Sequence, residues 1–169
     1  DCLCGTVFTP RKTKDGQPIA FGYLLTGRHV VLCDDCGAAR SLIARLAKEK
    51  RWHEAGPGRV FYELLELLIA KDHHHLEELE DRLGQLEDEI LAGSTDNFSA
   101  PITALRKQAM NWYRYHSQLW DMVCELEEDE SGFFPEHERR LFHLAVKRLG
   151  RLRDEDQLLR EYCLQVREL

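Results

Sequence analysis

PEHERRLFHLAVKRLGRLRDEDQLLREYCLQVREL, residues 135–169, decides the fold. Phe142, Ala145, Leu149, Leu152, Asp156, Leu159, Cys163 and Val166 follow one another at steps of three and four, which places them on one stripe of a single long helix. Pro135 can open that helix, because a proline in the first turn forfeits no helical hydrogen bond. The pattern reaches Leu169 with no capping glycine or asparagine, so the helix is expected to continue in the natural polypeptide.

Working back along the chain, the same spacing recurs twice. Ile102, Leu105, Ala109, Trp112, His116, Leu119, Val123 and Leu126 form a stripe within residues 99–130. Phe61, Leu65, Leu68, Asp72, Leu76, Leu79, Leu83, Leu86 and Ile90 form another, expected as one continuous helix over 57–92 that Gly93 ends. The connections, Ser94 to Ser99 and Ser131-Gly132, are short, and short loops between long helices make antiparallel neighbours. The expectation is an up-down-up bundle that projects as a stalk, with Leu64, Tyr113, Trp120, Leu141 and Leu158 on exposed flanks open to partner helices.

Residues 2–9, 19–25 and 29–33 read instead as strands, joined by turns at Asp15-Gly16 and Thr26-Gly27. Asp34 and Asp35 can cap a short helix beginning near Gly37, with Leu42, Ile43, Leu46 and Ala47 on one side and Lys48 to Arg51 near its negative end. The expected class is therefore α+β: a small antiparallel sheet with a short helix, then a long three-helix bundle. The division falls at Gly56-Pro57-Gly58, giving a partial sheet subdomain over 1–56 and a bundle over 57–169 that includes the stalk helix 135–169.

Composition narrows the function. A chain of 169 residues with 43% hydrophobic content can build a core, and a net charge of −7 argues against a nucleic-acid partner, which calls for a basic face. There is no apolar run near the length of a bilayer span and no signal peptide. The six cysteines lack framework spacing and read as reduced thiols. Gly-rich phosphate loops, a Gly-x-Ser-x-Gly elbow and a His-Glu-x-x-His helix are all missing, so an enzyme is not expected.

Four groups of residues are candidates for chemistry. Asp72 and His116 lie at nearly equal distances from the turn near residue 95, so antiparallel packing sets them at one level, as a buried polar pair that fixes helix register. Asp156 is the third polar residue of the seam, either a surface turn of its stripe or a partner of Lys107 or of a neighbouring subunit. Cys2, Cys4, Cys33 and Cys36 have spacings a zinc site can use, although strand alternation also places small apolar residues at Cys2 and Cys4. His73-His74-His75 point about 100° apart around a helix and read as a solvated face. The acidic run Glu125 to Glu130 opposes the helix dipole and is expected to fray.

The order of elements resembles the cytoplasmic domain of the CorA-like family of magnesium and divalent-cation transporters. The residues that carry the resemblance are Phe21-Gly22-Tyr23-Leu24-Leu25, His29-Val30-Val31-Leu32, the short helix over 38–50, Tyr62-Glu63-Leu64-Leu65-Glu66, and the leucine-glutamate repeats Leu76-Glu77-Glu78-Leu79-Glu80 and Leu86 to Leu91. The resemblance covers the chain from about residue 3 onward; the family's Gly-Met-Asn pore signature and membrane helices are not in it. It implies that the last helix is a stalk running toward the first membrane segment, that the full protein is a homopentamer at the cytoplasmic face of the cell membrane, and that Mg²⁺ is transported, sensed, or both. Under it, Glu161 and Glu168 become a cation-concentrating ring, and Glu127, Glu128 and Asp129 a cluster for hydrated cation. Where family members often place a regulatory aspartate, this chain reads Val146-Lys147-Arg148. The other readings are a soluble helical adaptor and a zinc-binding regulatory module built on the four N-terminal cysteines.

Overall fold

Alternating exposure over residues 2–9, with Val7 and Thr9 turned inward and Cys2, Cys4, Thr6 and Phe8 outward, is what a strand with one buried face produces. The structure, a computed structural model, describes residues 2–13, 16–49, 55–93, 98–130 and 132–168. Expectations at Asp15, Lys50, Arg51, Ser94 to Asn97, Ser131 and Leu169 lie outside the described residues. Strands β1 (Cys2–Lys12), β2 (Pro18–Thr26) and β3 (Val30–Cys33) pair antiparallel in that order. Val7 sits opposite Phe21, and Gly22 opposite Cys33. Gly16, at φ 79°, turns the chain from β1 to β2 in the left-handed region that favours glycine.

Helix α1 (Ala38–Glu49) starts where Asp34 Oδ2 accepts the Ala39 N–H at 2.9 Å. That backbone bond, ahead of smaller contributions, holds the Asp34 carboxyl below its ordinary pKa. The buried side of α1 is Ala39 and Leu46 with Leu42 half-buried. Ile43 (47% exposed) and Ala47 do not share it, because the face that meets β2 and α2 is one step round from the expected one.

The expected helix over 57–92 is two helices, α2 (Pro57–Ile69) and α3 (Asp72–Leu91), with Lys71 at φ −110°, ψ 5° between them. In an unbroken helix the Leu68 carbonyl would accept from the Asp72 N–H. Here it accepts from the Arg11 guanidinium at 2.8 Å, so a strand side chain occupies the break. Leu64, expected on an exposed flank, is 2% exposed, because α2 lies between α1 and β3 on one side and α5 on the other. Helix α4 (Ser99–Glu128) and helix α5 (Glu136–Arg167) pack along each other, about 45 Å and about 48 Å long at the helical rise. All eight stripe positions of α5, including Asp156, are buried. Tyr113, Trp120 and Leu141 are half-buried, whereas Leu158 stays out in solvent.

Two carboxylates hold the ends of these helices. Asp129, at φ 41°, donates its own N–H to the Glu125 carbonyl at 3.1 Å, and its carboxylate accepts the N–H groups of Phe133 and Phe134 at 2.8 Å each, so the acidic end of α4 is closed by a held turn instead of frayed. Glu138, 1% exposed in the first turn of α5, accepts the Gly58 N–H at 3.1 Å and the Arg59 N–H at 3.2 Å, capping α2 from another helix. Glycine is required on the capped side: a Cβ at Gly58 would meet the Glu138 carboxylate and stand 2.8 Å from Phe134 Cδ1.

Gly58→Ala should therefore lower unfolding stability by about 1–3 kcal/mol, the range for a buried polar group deprived of its partner. In a Glu138→Ala background the same substitution should cost less than in the wild type. Urea denaturation of the four proteins of this double-mutant cycle measures the coupling, and strict additivity would refute the cap.

Candidate functional site: a buried polar seam and the surface carboxylates

The level at which α3, α4 and α5 cross is set by one imidazole. His116 Nε2 lies 3.1 Å from Asp72 Oδ2 and His116 Nδ1 lies 2.6 Å from Asp156 Oδ2, with all three side chains fully buried. The Arg11 guanidinium from β1 completes the chain by binding Asp72 Oδ1. Both ring nitrogens of His116 are thereby engaged, and Arg11, Asp72, His116 and Asp156 form one buried polar chain. Trp112 and Tyr115 close over the network, with ring centroids 5.6 Å and 5.1 Å from His116, and the Arg11 guanidinium carbon is 5.7 Å from the Trp112 ring. Burial raises the Asp156 pKa, opposed by the hydrogen bond and charge of His116. Burial likewise raises the Tyr115 phenol.

Asp72 and His116 thus meet on facing helices. Asp156 is neither a surface residue nor a partner of Lys107: its stripe position points at His116, which uses both nitrogens. Arg11 escaped the sequence reading, although Val7 and Thr9 had already set the inward parity that residue 11 shares. Glu138 escaped it too, although it stands one helical step before Phe142 on the α5 stripe.

The cysteines do not converge. Cys2 and Cys4 are on β1 and Cys33 is on β3, with β2 between them, so they are separated by about 9–10 Å of sheet while zinc-bound sulfurs lie within about 4 Å of each other. They are exposed on the outer face, and the Cys36 thiol donates to Asp34 at 3.4 Å. Among the described residues no group of three or more His, Cys, Asp or Glu side chains is arranged to hold a metal ion.

The carboxylates singled out for cation binding fall into two sets at opposite ends of the α4–α5 pair. Near the start of α5, Glu127 pairs with His143, Asp129 is committed to its backbone cap, and Glu128 is exposed. Near its end, Glu161 in α5 and Glu168 just past its last residue are exposed, with Glu161 Oε1 accepting from Gln157 at 3.1 Å. In the segment Val146-Lys147-Arg148, Arg148 pairs with Glu66 on α2. Of the three consecutive histidines, His73 reaches α5, where its Nδ1 is 2.8 Å from Glu155 Oε2, His74 faces Glu77 and Glu78, and His75 lies 5.5 Å from the Trp112 ring. The bond to Glu155 raises the His73 pKa, and the charge of Glu155 adds to it. A hydrogen bond to Glu87 pushes the Tyr162 phenol up to about 12.

A strand-led sheet feeding a long antiparallel helical bundle is an architecture shared with known ion transporters. The sequence profile of the CorA-like Mg²⁺ transporter protein family matches residues 22–169, and the chain belongs to that family. Its fold is similar to that of the complete CorA magnesium transporter from Methanocaldococcus jannaschii (TM-score 0.79, 21% identity, 99% of this chain and 54% of that one). The soluble domain of that CorA gives a TM-score of 0.78 at 20% identity, covering 99% of this chain and 68% of that one. The ZntB cytoplasmic domain from Vibrio parahaemolyticus RIMD 2210633 gives 0.75 at 12% identity, covering 99% and 67%. The chain thus spans about half the length of the complete transporter it matches. No curated protein sequence matches it. Among the described residues no helix is long and apolar enough to cross a membrane.

His116→Ala should lower stability by about 3–5 kcal/mol, because it leaves two buried carboxylates facing each other without their common partner. Asp156→Asn, which removes a buried charge and keeps the shape, should cost markedly less; equal losses in urea denaturation would show that the ring does not hold the seam. In an NMR titration, His73 should titrate above the ordinary histidine value and return toward it in Glu155→Gln. The sign follows from linkage: a raised folded-state pKa stabilises the fold below about pH 6.5, and that contribution fades as pH rises through the folded value.

Proposed function

We propose that this chain is the intracellular regulatory and stalk unit of a CorA-like divalent metal cation transporter, with Mg²⁺ as the cation and α5 as the element that couples the unit to ion passage. The observation that carries this reading is α5 itself. It is an uninterrupted helix of 32 residues that buries one face against α2, α3 and α4. Its other face holds exposed Leu144, Leu158 and Leu164 together with Glu161, and Glu168 follows just past its end. The family membership and the shared fold support it.

On this reading the unit works at the cytoplasmic face of the cell membrane as part of a homopentamer, with α5 beside the assembly axis. The exposed leucines meet neighbouring copies, and Glu161 and Glu168 repeat around the axis as rings that raise the local cation concentration. Glu127 and Glu128 supply the other acidic patch, while Asp129 already serves the backbone. Because the described residues do not gather three metal-binding side chains within one chain, a regulatory Mg²⁺ would be shared between copies, held by carboxylates that leave the ion several of its waters. Such an ion favours the closed state only to the extent that it binds that state better: a tenfold preference corresponds to about 1.4 kcal/mol. The same exposed leucines would also serve a soluble adaptor that docks partner helices, and the transport assay separates the two.

The test uses the natural polypeptide that carries these residues, reconstituted in liposomes loaded with a Mg²⁺-sensitive dye. Expected are Mg²⁺ uptake down its gradient and reduced uptake in a Glu161→Gln/Glu168→Gln double variant, with intact folding by circular dichroism. No uptake above empty liposomes would end the transporter reading. Uptake unchanged in the double variant would end the assignment of the two glutamates.

A further inference from the structure

The strands and the first two helices enclose a cleft of about 300 Å³ between β1, β2, α1 and the end of α2. Its charge is unlike that of the rest of the molecule. The chain carries a net −7, yet among the described residues the lining holds two arginines, Arg11 and Arg45, and no carboxylate. The two guanidiniums are close enough that Arg45 helps lower the Arg11 pKa, after the larger effect of burial. Thr9, Thr13 and Ser41 add hydroxyls, and Ile19, Leu42 and Leu68 form an apolar floor.

We propose that this cleft binds a small organic molecule carrying one oxyanion group, and that Arg11 links its occupancy to the break between α2 and α3. The two cations divide the work. Arg11 has five N–H donors, of which the bonds to the Leu68 carbonyl and to Asp72 engage two, so it can serve an anion while still holding the break. Its charge is already balanced by Asp72. Arg45, on the exposed side of α1, makes no ion pair with a carboxylate among the described residues and supplies the uncompensated charge. The Thr13 hydroxyl accepts the Gln17 N–H at 3.1 Å and keeps its own proton to donate. The start of α1 is not the anion site, because Asp34 already occupies its Ala39 N–H. The apolar floor accounts for the organic body, and the volume is at the small end of ligand pockets, which limits the ligand to a compact one.

The proposal stands apart from the transport reading: it concerns the sheet end of the molecule and requires neither a membrane nor a second copy. It also gives the break a purpose, because a ligand that fixes Arg11 fixes a strand side chain that holds α2 and α3 at their junction.

The experiment titrates the chain with inorganic phosphate and, separately, with acetate, at constant ionic strength made up with chloride. Backbone amide NMR follows binding, and hydrogen exchange follows Ala70, Lys71 and Asp72. Saturable shifts are expected at Thr13, Ser41 and Arg45. Which of the two anions binds more tightly identifies the ligand's acidic group as a phosphate or a carboxylate. Arg45→Gln should weaken binding about tenfold, the worth of one charge-assisted hydrogen bond, while Arg45→Lys should keep most of the affinity. Exchange at Ala70 to Asp72 should slow about threefold or more on saturation. Absence of saturable binding by both anions, or binding indifferent to Arg45→Gln, would overturn the site. Saturable binding with unchanged exchange at Ala70 to Asp72 would overturn the link through Arg11.

Discussion

His116 lies between Asp72 and Asp156, and every long element of the molecule is positioned relative to that contact. Asp72 belongs to α3, His116 to α4 and Asp156 to α5, and Arg11 brings β1 to the same point. Buried charges are costly unless each is met, so a slip of any one helix by three, four or seven residues along its stripe would strand a carboxylate in an apolar interior. Leucine stripes alone tolerate such slips, since one leucine replaces another with little loss. The polar contact removes that freedom and gives the bundle one register, the role a lone polar residue has in coiled coils.

The same economy of carboxylates runs through the rest of the structure. Asp34 caps α1, Asp129 closes the turn after α4, and Glu138 reaches from α5 to the N–H groups at the start of α2. Each is an acid whose oxygens are spent on the backbone, so each is removed from the set that can attract a cation. On the proposed reading, the carboxylates left for ion chemistry include Glu161 on the outside of α5 and Glu168 just past its end, while the other face of the helix is anchored by Phe142, Leu149 and Val166. A rigid element with one committed face and one free face is suited to transmit a change at its surface along its length.

Much of this was legible in the residues. The α4 and α5 stripes are buried as their spacing requires, and the opposition of Asp72 and His116 followed from counting equal numbers of residues from a turn. The α2–α3 break was not legible, because its stripe runs through Ala70 and Lys71 without a proline or glycine. The Leu68 carbonyl is drawn off by an arginine 57 positions earlier, and local propensity carries no trace of so distant a donor. The four cysteines misled in the opposite sense. Their spacing fits a metal site, but strand order places β2 between them.

The sequence by itself determined where most helices and strands lie, which stripes of α4 and α5 are apolar, and that Asp72 and His116 stand at one level. Periodicity carries that information, because each side chain's direction follows from its position along the chain. Only the tertiary structure decided which polar groups meet, that Arg11 and Glu138 act on helices other than their own, and that a basic cleft opens in an acidic molecule. Those outcomes rest on distances between residues far apart in the chain, and such distances are set when the elements pack together.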